Sequence, residues 1–511
     1  MATLDQVIAR RKELRKNRRM IFVDDGAAIY YYLGGYGNPI TAQSFLDYQF
    51  GPHRGVANNV VADPEVSDIT SFVFNTGYSG YTLHDSSITD MFIGIGLPAS
   101  PVFPSESPGD ATQSLIDNTG KDALEIAGDF FDEYGGEFFY GCRVNDRHDA
   151  TFPRADIVPL KQGFWDNGGL LSNGVNNGLD FDVQAARELM LNTVLEVVND
   201  SKYKINGVCL NFYRHFGTFK NVISETELET TQAQTDIMTD WLYTITDAMN
   251  VRSQTLMDQG KEPLLLMIKV ADSQEFNKQL GLDVDKWMRD GVVDILSPLG
   301  YHQFRFLKDS IAWGKKYGVC TCPSFQDPRL DNERSRNTNS GRRGRMAQIL
   351  GSGSDGIEIF NYNYSKDPSD FGQSGIAWRS LTPEKLKAWG SRTYYQIWTA
   401  QNGGIIGTAG IMPKTKFYPN FYLEASSDNP WGGNGVLRIE IYEKAPVSVT
   451  MNTYCTGTLS SLSFNGNSVS LTAETFGYSA SLTPDWLVMG VNDIEVTGTE
   501  LLIGDVEVVV S

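Results

Sequence analysis

The sequence has no long apolar run. Nowhere does it approach the roughly 18 consecutive apolar residues that a membrane-spanning helix needs, and apolar residues make up 41% of the chain. The amino-terminal stretch MATLDQVIARRKELRKNRR is basic and helix-prone, with no apolar signal core behind it. We therefore expect no membrane partner and no signal peptide in this sequence. The protein could reside in the cytoplasm, in the periplasm or outside the cell.

The chain also lacks an excess of basic residues and has few cysteines. Its 43 Lys and Arg against 62 Asp and Glu give a formal net charge of −19. Nucleic-acid binding needs a basic footprint, so this balance disfavours nucleic acid as a partner. The five cysteines are odd in number and fall mostly in apolar, strand-like runs. They are expected to be buried free thiols.

Several catalytic and cofactor motifs are missing. There is no P-loop and no G-x-G-x-x-G after a first strand, so no nucleotide cofactor is expected. There is no G-x-S-x-G nucleophile elbow. His148 with Asp146 and Asp149 could seed a metal site, but the spacings H-E-x-x-H and H-x-x-E-H are absent. We expect neither a catalytic metal nor a cofactor.

What the chain does contain is a regular alternation of apolar runs and amphipathic helical patterns. Eight apolar runs occur before residue 365: MIFVDDG, ITSFVFNTG, EFFYGCRVND, INGVCLNFYRH, PLLLMIKVADS, VVDILSPLGYHQ, GVCTCPSFQD and DGIEIFNYNY. Such alternation predicts a parallel sheet, and eight units predict a closed (β/α)₈ TIM-like barrel. Each run starts apolar and ends polar, which places an active site at the carboxyl ends of the strands.

The chain divides near residue 392. Residues 1–391 are predicted to form the barrel, with the Pro-, Gly- and Ser-rich stretch 78–120 inserted over its active face. Residues 392–511 hold alternating β-rich runs with NG turns and no helical pattern, which predicts a small antiparallel β-sandwich. This domain either packs on the barrel as a stabilising unit or binds carbohydrate.

The third run carries the densest group of ionisable residues. CRVNDRHDA supplies Arg143, Asn145, Asp146, His148 and Asp149. Carboxylates and Arg bind sugar hydroxyls in bidentate fashion, and a carboxylic acid near His can have a shifted pKa. The interpretation is a catalytic or sugar-binding site, and the alternative is a salt-bridged rim.

The other runs contribute polar residues at their carboxyl ends. In the fourth run, alternation puts Asn211 on the same face as Cys209 and Tyr213. The further candidates around this ring are Asp24, Asp25, Arg214, His215, Lys269, Asp272, Tyr301, Gln303, Asp327, Glu358 and Asn361. Individually each could be a rim residue. Together they predict one polar ring at the same end of eight strands.

At this point the sequence resembles a bacterial group of glycoside-hydrolase-like (β/α)₈-barrel proteins. The resemblance rests on RRMIFVDDG, RVNDRHD, INGVCLNFYRH, MIKVADS, DGIEIFNY and the carboxyl-terminal LTPDWLVMGVNDIEVTG. The segments occur in order over most of the chain. The resemblance implies hydrolysis of glycosidic bonds in a poly- or oligosaccharide, with a small β-domain after the barrel.

The fourth run departs from that group. Its pattern there resembles D-G-x-E-L-D-F-x-R-H, whereas this chain has Cys209 and Asn211 at the two acidic positions of E-L-D. Glycosidases need two carboxyl groups. Either the pair comes from other strands, or the protein binds sugar without cleaving it, or Asn211 is a silenced Asp. With Asn211, the candidate catalytic residues are Asp146, Asp149, His148 and Glu358.

The segment DPRLDNERSRNTNSGRRGR after the seventh run is locally basic, although the protein as a whole is acidic. Its Arg342 and Arg343 could bind sulfate or uronate groups. The alternative is that the segment is a solvated loop and the start of a helix. The sequence therefore predicts a glycoside hydrolase that acts on a poly- or oligosaccharide, and an anionic glycan is one candidate substrate. The alternatives are a non-catalytic carbohydrate-binding barrel and a polysaccharide lyase.

Overall fold

The structure is a computed structural model. It describes residues 2–17, 19–24, 26, 41–50, 70–79, 81–91, 108–146, 179–213, 218–219, 230–298, 305–326, 339–360, 387, 390–395, 434–443 and 446–511.

Parallel strands form a closed barrel, which confirms the predicted (β/α)₈ fold. Pro323, which cannot donate a ladder hydrogen bond, splits the seventh strand into two short pieces. One piece pairs with the sixth strand and the other with the eighth, so the ring closes. The barrel strands are β1 (Arg19–Asp24), β2 (Ser71–Gly77), β5 (Glu137–Arg143), β6 (Gly207–Asn211), β7 (Leu265–Val270), β8 (Ile295–Pro298), β9 (Cys320–Thr321), β10 (Ser324–Gln326) and β11 (Gly356–Phe360). Two short strands, β3 (Tyr81–Thr82) and β4 (Asp90–Met91), extend β2.

Every barrel strand is buried on both faces, because one face lines the interior and the other packs against helices. Alternate residues therefore fall into two separate cores. The small interior core consists of Leu14, Ile21, Val23, Val73, Phe139, Cys209, Leu265, Met267, Ile295, Cys320, Cys322 and Phe360. All five cysteines are free thiols and four are buried, as expected.

Helices lie between the strands, as the alternation of apolar runs and amphipathic helical patterns predicts. They are α1 (Leu4–Leu14), α2 (Ala42–Gln49), α3 (Pro108–Thr119), α4 (Ala123–Tyr134), α5 (Gln184–Asn199), α6 (Gln232–Asp258), α7 (Gln274–Gln279), α8 (Val284–Arg289), α9 (Leu307–Lys316) and α10 (Asn339–Gly351). The stretch 78–120, expected to be a loop insertion, ends in the regular helix α3. None of the described helices is both long and apolar enough to cross a bilayer.

The amino-terminal helix α1 covers the amino-terminal end of the barrel. Leu14 belongs to the interior core. Arg11 and Arg15 both bond to the carboxylate of Asp294, which lies just before β8 and is fully buried. The basic amino-terminal segment is therefore a structural part of the barrel.

The carboxyl-terminal region is an antiparallel β-domain, which confirms the predicted all-β character. Its strands are β12 (Arg392–Tyr395), β13 (Asn434–Ile441), β14 (Val449–Phe464), β15 (Asn467–Ser468), β16 (Thr472–Glu474), β17 (Gly477–Leu482) and β18 (Gly490–Val510). Among the described residues these strands form one continuous sheet, and register shifts interrupt the long β14–β18 pair three times. The predicted NG turn lies at Asn465 and Gly466, both with positive φ.

Candidate functional site

A polar layer lies directly above the apolar interior core, toward the carboxyl ends of the strands. In the register of the parallel ladders, Arg143 is opposite Asn211, Asn211 opposite Lys269, and Lys269 opposite Ser297. Side chains alternate along a strand, and residues two positions earlier, such as Cys209, belong to the interior core. The four polar side chains therefore face the interior at one level.

An ion pair crosses this layer. The Nζ atom of Lys269 lies 2.8 Å from Glu358 Oε1 and 3.3 Å from Ser324 Oγ. The other carboxylate oxygen of Glu358 accepts a 2.5 Å hydrogen bond from Ser297. The ammonium also lies 4.5 Å from the ring centroid of Phe360, close enough for a cation–π contact. Both charged side chains are almost wholly inaccessible to solvent.

A second ion pair joins Arg143 to Asp146, with 2.9 Å between Nη1 and Oδ2. The guanidinium carbon of Arg143 lies 5.9 Å from the centroid of the Phe360 ring and 5.3 Å from that of Tyr78. The two cations of the layer therefore share Phe360 as a neighbour. The backbone N–H of Asp146 donates to Ser79 Oγ, which ties the turn after β5 to the end of β2.

Asn211 is buried and makes a local hydrogen bond. Its Oδ1 atom accepts the backbone N–H of Tyr213 at 3.0 Å, an Asx-type turn that fixes the side chain at the strand end. Its neighbours in register are Arg143 on one strand and Lys269 on the other. A carboxylate at position 211 would thus lie between two cations.

Cys209 occupies the other position where the resemblance has an acid. Burial, and then the nearby Glu358 carboxylate, raise the pKa of the Cys209 thiol well above its usual range. A thiol that stays protonated is neither a nucleophile nor a carboxylate substitute. The fourth strand therefore contributes no acidic group of its own to the interior.

Two further predicted carboxylates, Asp24 and Asp272, are buried at strand ends and bound to backbone N–H groups. Asp24 Oδ1 accepts from Gly26 at 2.6 Å, and Asp272 Oδ2 accepts from Arg305 at 2.9 Å. Gly26 has φ of +77°, and a Cβ atom there would come within 2.5 Å of the Asn75 carbonyl oxygen. The turn after β1 therefore requires glycine.

The structure brings several of the predicted site residues to one end of the barrel: Asp24, Arg143, Asn145, Asp146, Asn211, Tyr213, Lys269, Asp272 and Glu358. Nine others lie outside the described residues: Asp25, His148, Asp149, Arg214, His215, Tyr301, Gln303, Asp327 and Asn361. Within the described part of the chain, no group of three His, Cys, Asp or Glu side chains is arranged to hold a metal ion.

The predicted arginine loop is partly helical. Arg342 and Arg343 lie in the first turns of α10. The Nε atom of Arg343 donates to the carbonyl oxygen of Ser391 at 2.8 Å, at the junction with the β-domain. Burial and the nearby Arg392 lower the pKa of Arg343. This guanidinium therefore has a structural partner before any ligand binds.

Three residues in or against the polar layer were absent from the sequence prediction: Ser297, Ser324 and Phe360. Strand alternation could have placed two of them on the inward face. Ser324 lies two positions after Cys322, and Phe360 lies two positions after Glu358. A serine or phenylalanine is too common at strand ends to be selected without knowing which cations face it.

No protein-family model matches the sequence, and no curated protein matches it. Solved structures with similar folds include an α-galactosidase from Geobacillus stearothermophilus, at 9% identity, 99% coverage of this chain, 59% coverage of that one and a TM-score of 0.36. An endo-β-mannanase/endo-β-glucanase from Prevotella bryantii has 11% identity, coverages of 74% and 49%, and a TM-score of 0.39. A chitinase from Paenibacillus has 10% identity, coverages of 94% and 52%, and a TM-score of 0.37.

These neighbours are glycoside hydrolases, and this chain spans about half the length of each. Likeness at this level of identity concerns the fold, and with TM-scores of this size it assigns no activity to the chain.

Proposed function

We propose that the protein is a glycoside hydrolase that acts on a poly- or oligosaccharide at the carboxyl-terminal mouth of its barrel. The observation that carries the proposal is the pair of buried ion pairs, Lys269–Glu358 and Arg143–Asp146, gathered around Phe360. Buried ion pairs often contribute less to stability than apolar packing would. Charges in the one layer where such barrels perform chemistry therefore favour a functional role.

The surroundings of the carboxylates suggest their roles. Glycosidases use one carboxyl group as proton donor and another as nucleophile or base. The donors around Glu358, an ammonium and a hydroxyl, use its oxygens as acceptors. Glu358 therefore suits the stabilisation of positive charge on the sugar ring better than proton donation. We assign the proton donor to the cluster after β5, as Asp149, or as Asp146 once bound substrate displaces Arg143 from its carboxylate.

The basic side chains at the mouth favour an anionic glycan as substrate. Arg342 lies at the start of α10, whereas Arg143 and Lys269 of the polar layer are already paired with Asp146 and Glu358. A guanidinium can bind a sulfate or a uronate carboxylate through two parallel hydrogen bonds. The proposed substrate class is a sulfated or uronate-containing polysaccharide.

A non-catalytic sugar-binding barrel is the second candidate, and the fourth strand favours it. An amide and a protonated thiol occupy both positions where the resembling group has acids. In addition, both oxygens of Glu358 already accept hydrogen bonds. This arrangement suits recognition of hydroxyl groups without bond cleavage.

The test is to incubate the purified chain with neutral, sulfated and uronate-containing glycans and to measure new reducing ends, ultraviolet absorbance and binding. Hydrolysis that falls by at least about 10²-fold in Asp146→Asn supports the proposal, since acid–base groups contribute on that scale. Asp493→Asn, a substitution of an exposed residue in the β-domain, is the control. Binding without release supports the second candidate, and an ultraviolet-absorbing unsaturated product indicates a lyase.

A further inference from the structure

Two carboxylates from different domains hold the same short segment, Arg305–Lys308. Asp272, which follows β7 at the mouth, accepts the backbone N–H of Arg305 at 2.9 Å. Glu440, on β13 of the β-domain, accepts the N–H groups of Leu307 at 2.8 Å and Lys308 at 3.3 Å. The four-residue segment thus connects Asp272, a candidate site residue, to Glu440 of the β-domain.

Glu440 supplies the amino-terminal cap that the sequence of α9 lacks. The first N–H groups of a helix have no partner within the helix. The N-cap residue here is Phe306, which makes no side-chain capping bond. A carboxylate at this end is favoured by hydrogen bonding and by the helix dipole. The β-domain therefore completes a helix of the barrel.

The carboxylate of Glu440 is itself held firmly. It is 3% exposed, and Tyr442 donates to its Oε1 atom at 3.1 Å. The backbone oxygen of Glu440 accepts from Gln348 of α10 at 2.7 Å. Burial of a carboxylate is costly unless its oxygens are bonded, so the position of Glu440 depends on both domains.

The other end of the segment is tied to β7 and α7. Asp272 lies three residues after Lys269 and is 2% exposed. Arg305 adds a second tie, from Nη2 to Glu275 Oε2 at 2.8 Å. The backbone of Arg305 therefore cannot shift without disturbing the carboxylate of Asp272.

We infer that Glu440 is a positioning residue, through which the β-domain fixes Asp272 at the mouth of the barrel. The role in catalysis rests on the proposed function, but the mechanical coupling does not. The inference makes the β-domain an integral part of the site and not a detachable carbohydrate-binding module. Tyr301 and Gln303, both predicted to face the mouth, directly precede the clamped segment in the chain.

Hydrogen exchange of single amides tests the coupling without any substrate. In Glu440→Gln, an NH₂ group, which is a hydrogen-bond donor, takes the place of one of the two acceptor oxygens. The Leu307, Lys308 and Arg305 amides should all exchange at least about tenfold faster, as expected when a buried hydrogen bond is lost. Asp272→Asn should in turn speed exchange at Leu307. Glu507→Gln, which changes another buried carboxylate of the β-domain, should leave all three amides protected.

Faster exchange confined to residues 307–310, with Arg305 unchanged, would show that Glu440 only caps the helix and would overturn the inference. Glu440→Asp, which keeps the charge on a shorter side chain, should restore part of the protection at Arg305.

The kinetic arm uses the glycan that the unmodified chain hydrolyses fastest. Glu440→Gln should lower kcat at least about tenfold with KM changed less than about twofold, because misplacing a group in the transition state affects kcat. The double variant Asp272→Asn/Glu440→Gln should lose little more activity than the single variant Asp272→Asn. Independent, additive losses would contradict the inference. If the chain hydrolyses no glycan, the proposed function fails and the exchange experiment alone decides the coupling.

Discussion

Lys269 and Glu358 form an ion pair across the barrel although their strands are not neighbours. Their strands, β7 and β11, are separated by β8 and the split seventh strand, yet Lys269 Nζ lies 2.8 Å from Glu358 Oε1. The exposed fractions of the two side chains are 1% and 0%. The pair therefore braces opposite walls of the barrel where the apolar interior ends and the polar mouth begins.

Removing one member of this pair should be more damaging than removing both. Lys269→Met or Glu358→Leu leaves an uncompensated charge in the interior, and each should cost about 3–5 kcal/mol of unfolding free energy. The double variant Lys269→Met/Glu358→Leu replaces the pair with apolar side chains and should cost less than either single change. Urea unfolding measures all three. Additive losses would show that the two groups do not compensate each other.

A buried histidine should make the stability of the protein depend on pH. The ring of His84 is fully buried, and its Nδ1 atom lies 3.1 Å from Thr76 Oγ1. The ring packs edge-on against Tyr140 and Tyr203, with centroids 5.7 Å away in both cases. These surroundings favour a neutral ring.

Burial lowers the pKa of His84, and the carboxylates of Asp122 and Glu196 oppose the shift. Below pH of about 6.5 the unfolded chain therefore takes up a proton that the folded chain does not. Stability is complete above that pH and should fall by at most about 1.4 kcal/mol per pH unit as the pH decreases toward the folded pKa. His84→Gln should flatten this dependence in urea unfolding between pH 5 and 7. Parallel pH profiles for the two proteins would refute the assignment.

The attachment of α1 to the barrel should depend on one carboxylate. Asp294 accepts from Arg11, Arg15 and the backbone N–H of Leu266. Asp294→Asn leaves two buried guanidinium groups without their counterion and should cost about 3–5 kcal/mol in urea unfolding. The matched control is Glu262→Gln, which breaks the exposed ion pair between Glu262 and Arg10 of α1. That pair is solvated, so the unfolding midpoint should not change measurably. Equal effects of the two changes would contradict the assigned anchor.

The sequence was sufficient to predict the barrel, because the pattern that indicates each strand is local and is repeated along the chain. Each strand shows an apolar start and a polar end within about ten residues, as in MIFVDDG, and the helical periodicity between strands is equally local. The Lys269–Glu358 pair could not be read in this way, since it joins residues 89 positions apart. Which side chains meet across a barrel depends on strand tilt and stagger, and these do not appear in any single segment.

The same limit applies to the β-domain. Its alternation and its NG turn at Asn465 predicted antiparallel strands, and the structure has them. The contact of Glu440 with the first turn of α9 was not predictable, because Glu440 in RIEIYEK looks like any solvent-facing strand residue. Its burial follows from how the two domains pack, and no local pattern encodes that packing.

Position 211 sits in surroundings that suit a carboxylate. Arg143 and Lys269 flank it in register on the neighbouring strands. An Asp side chain has nearly the same shape as Asn and can accept the same hydrogen bond from the Tyr213 N–H. Arg214 and His215, which follow in the sequence, lie outside the described residues. Two other cations therefore flank the position, each of them already paired with a carboxylate, Asp146 or Glu358.

We predict that Asn211→Asp raises the rate of reducing-end release by about 10³-fold or more. A nucleophile or charge-stabilising carboxylate typically lowers the barrier by several kcal/mol, and each 1.36 kcal/mol is tenfold in rate. The assay compares the variant with the unmodified chain on the glycan panel, with urea unfolding as a check that both are equally folded. Asn211→Ala, which loses the bond to Tyr213 without adding charge, is the control and should not gain activity. If the unmodified chain already turns over briskly and Asn211→Asp slows it, position 211 is a binding amide, and the carboxylate pair must come from other strands.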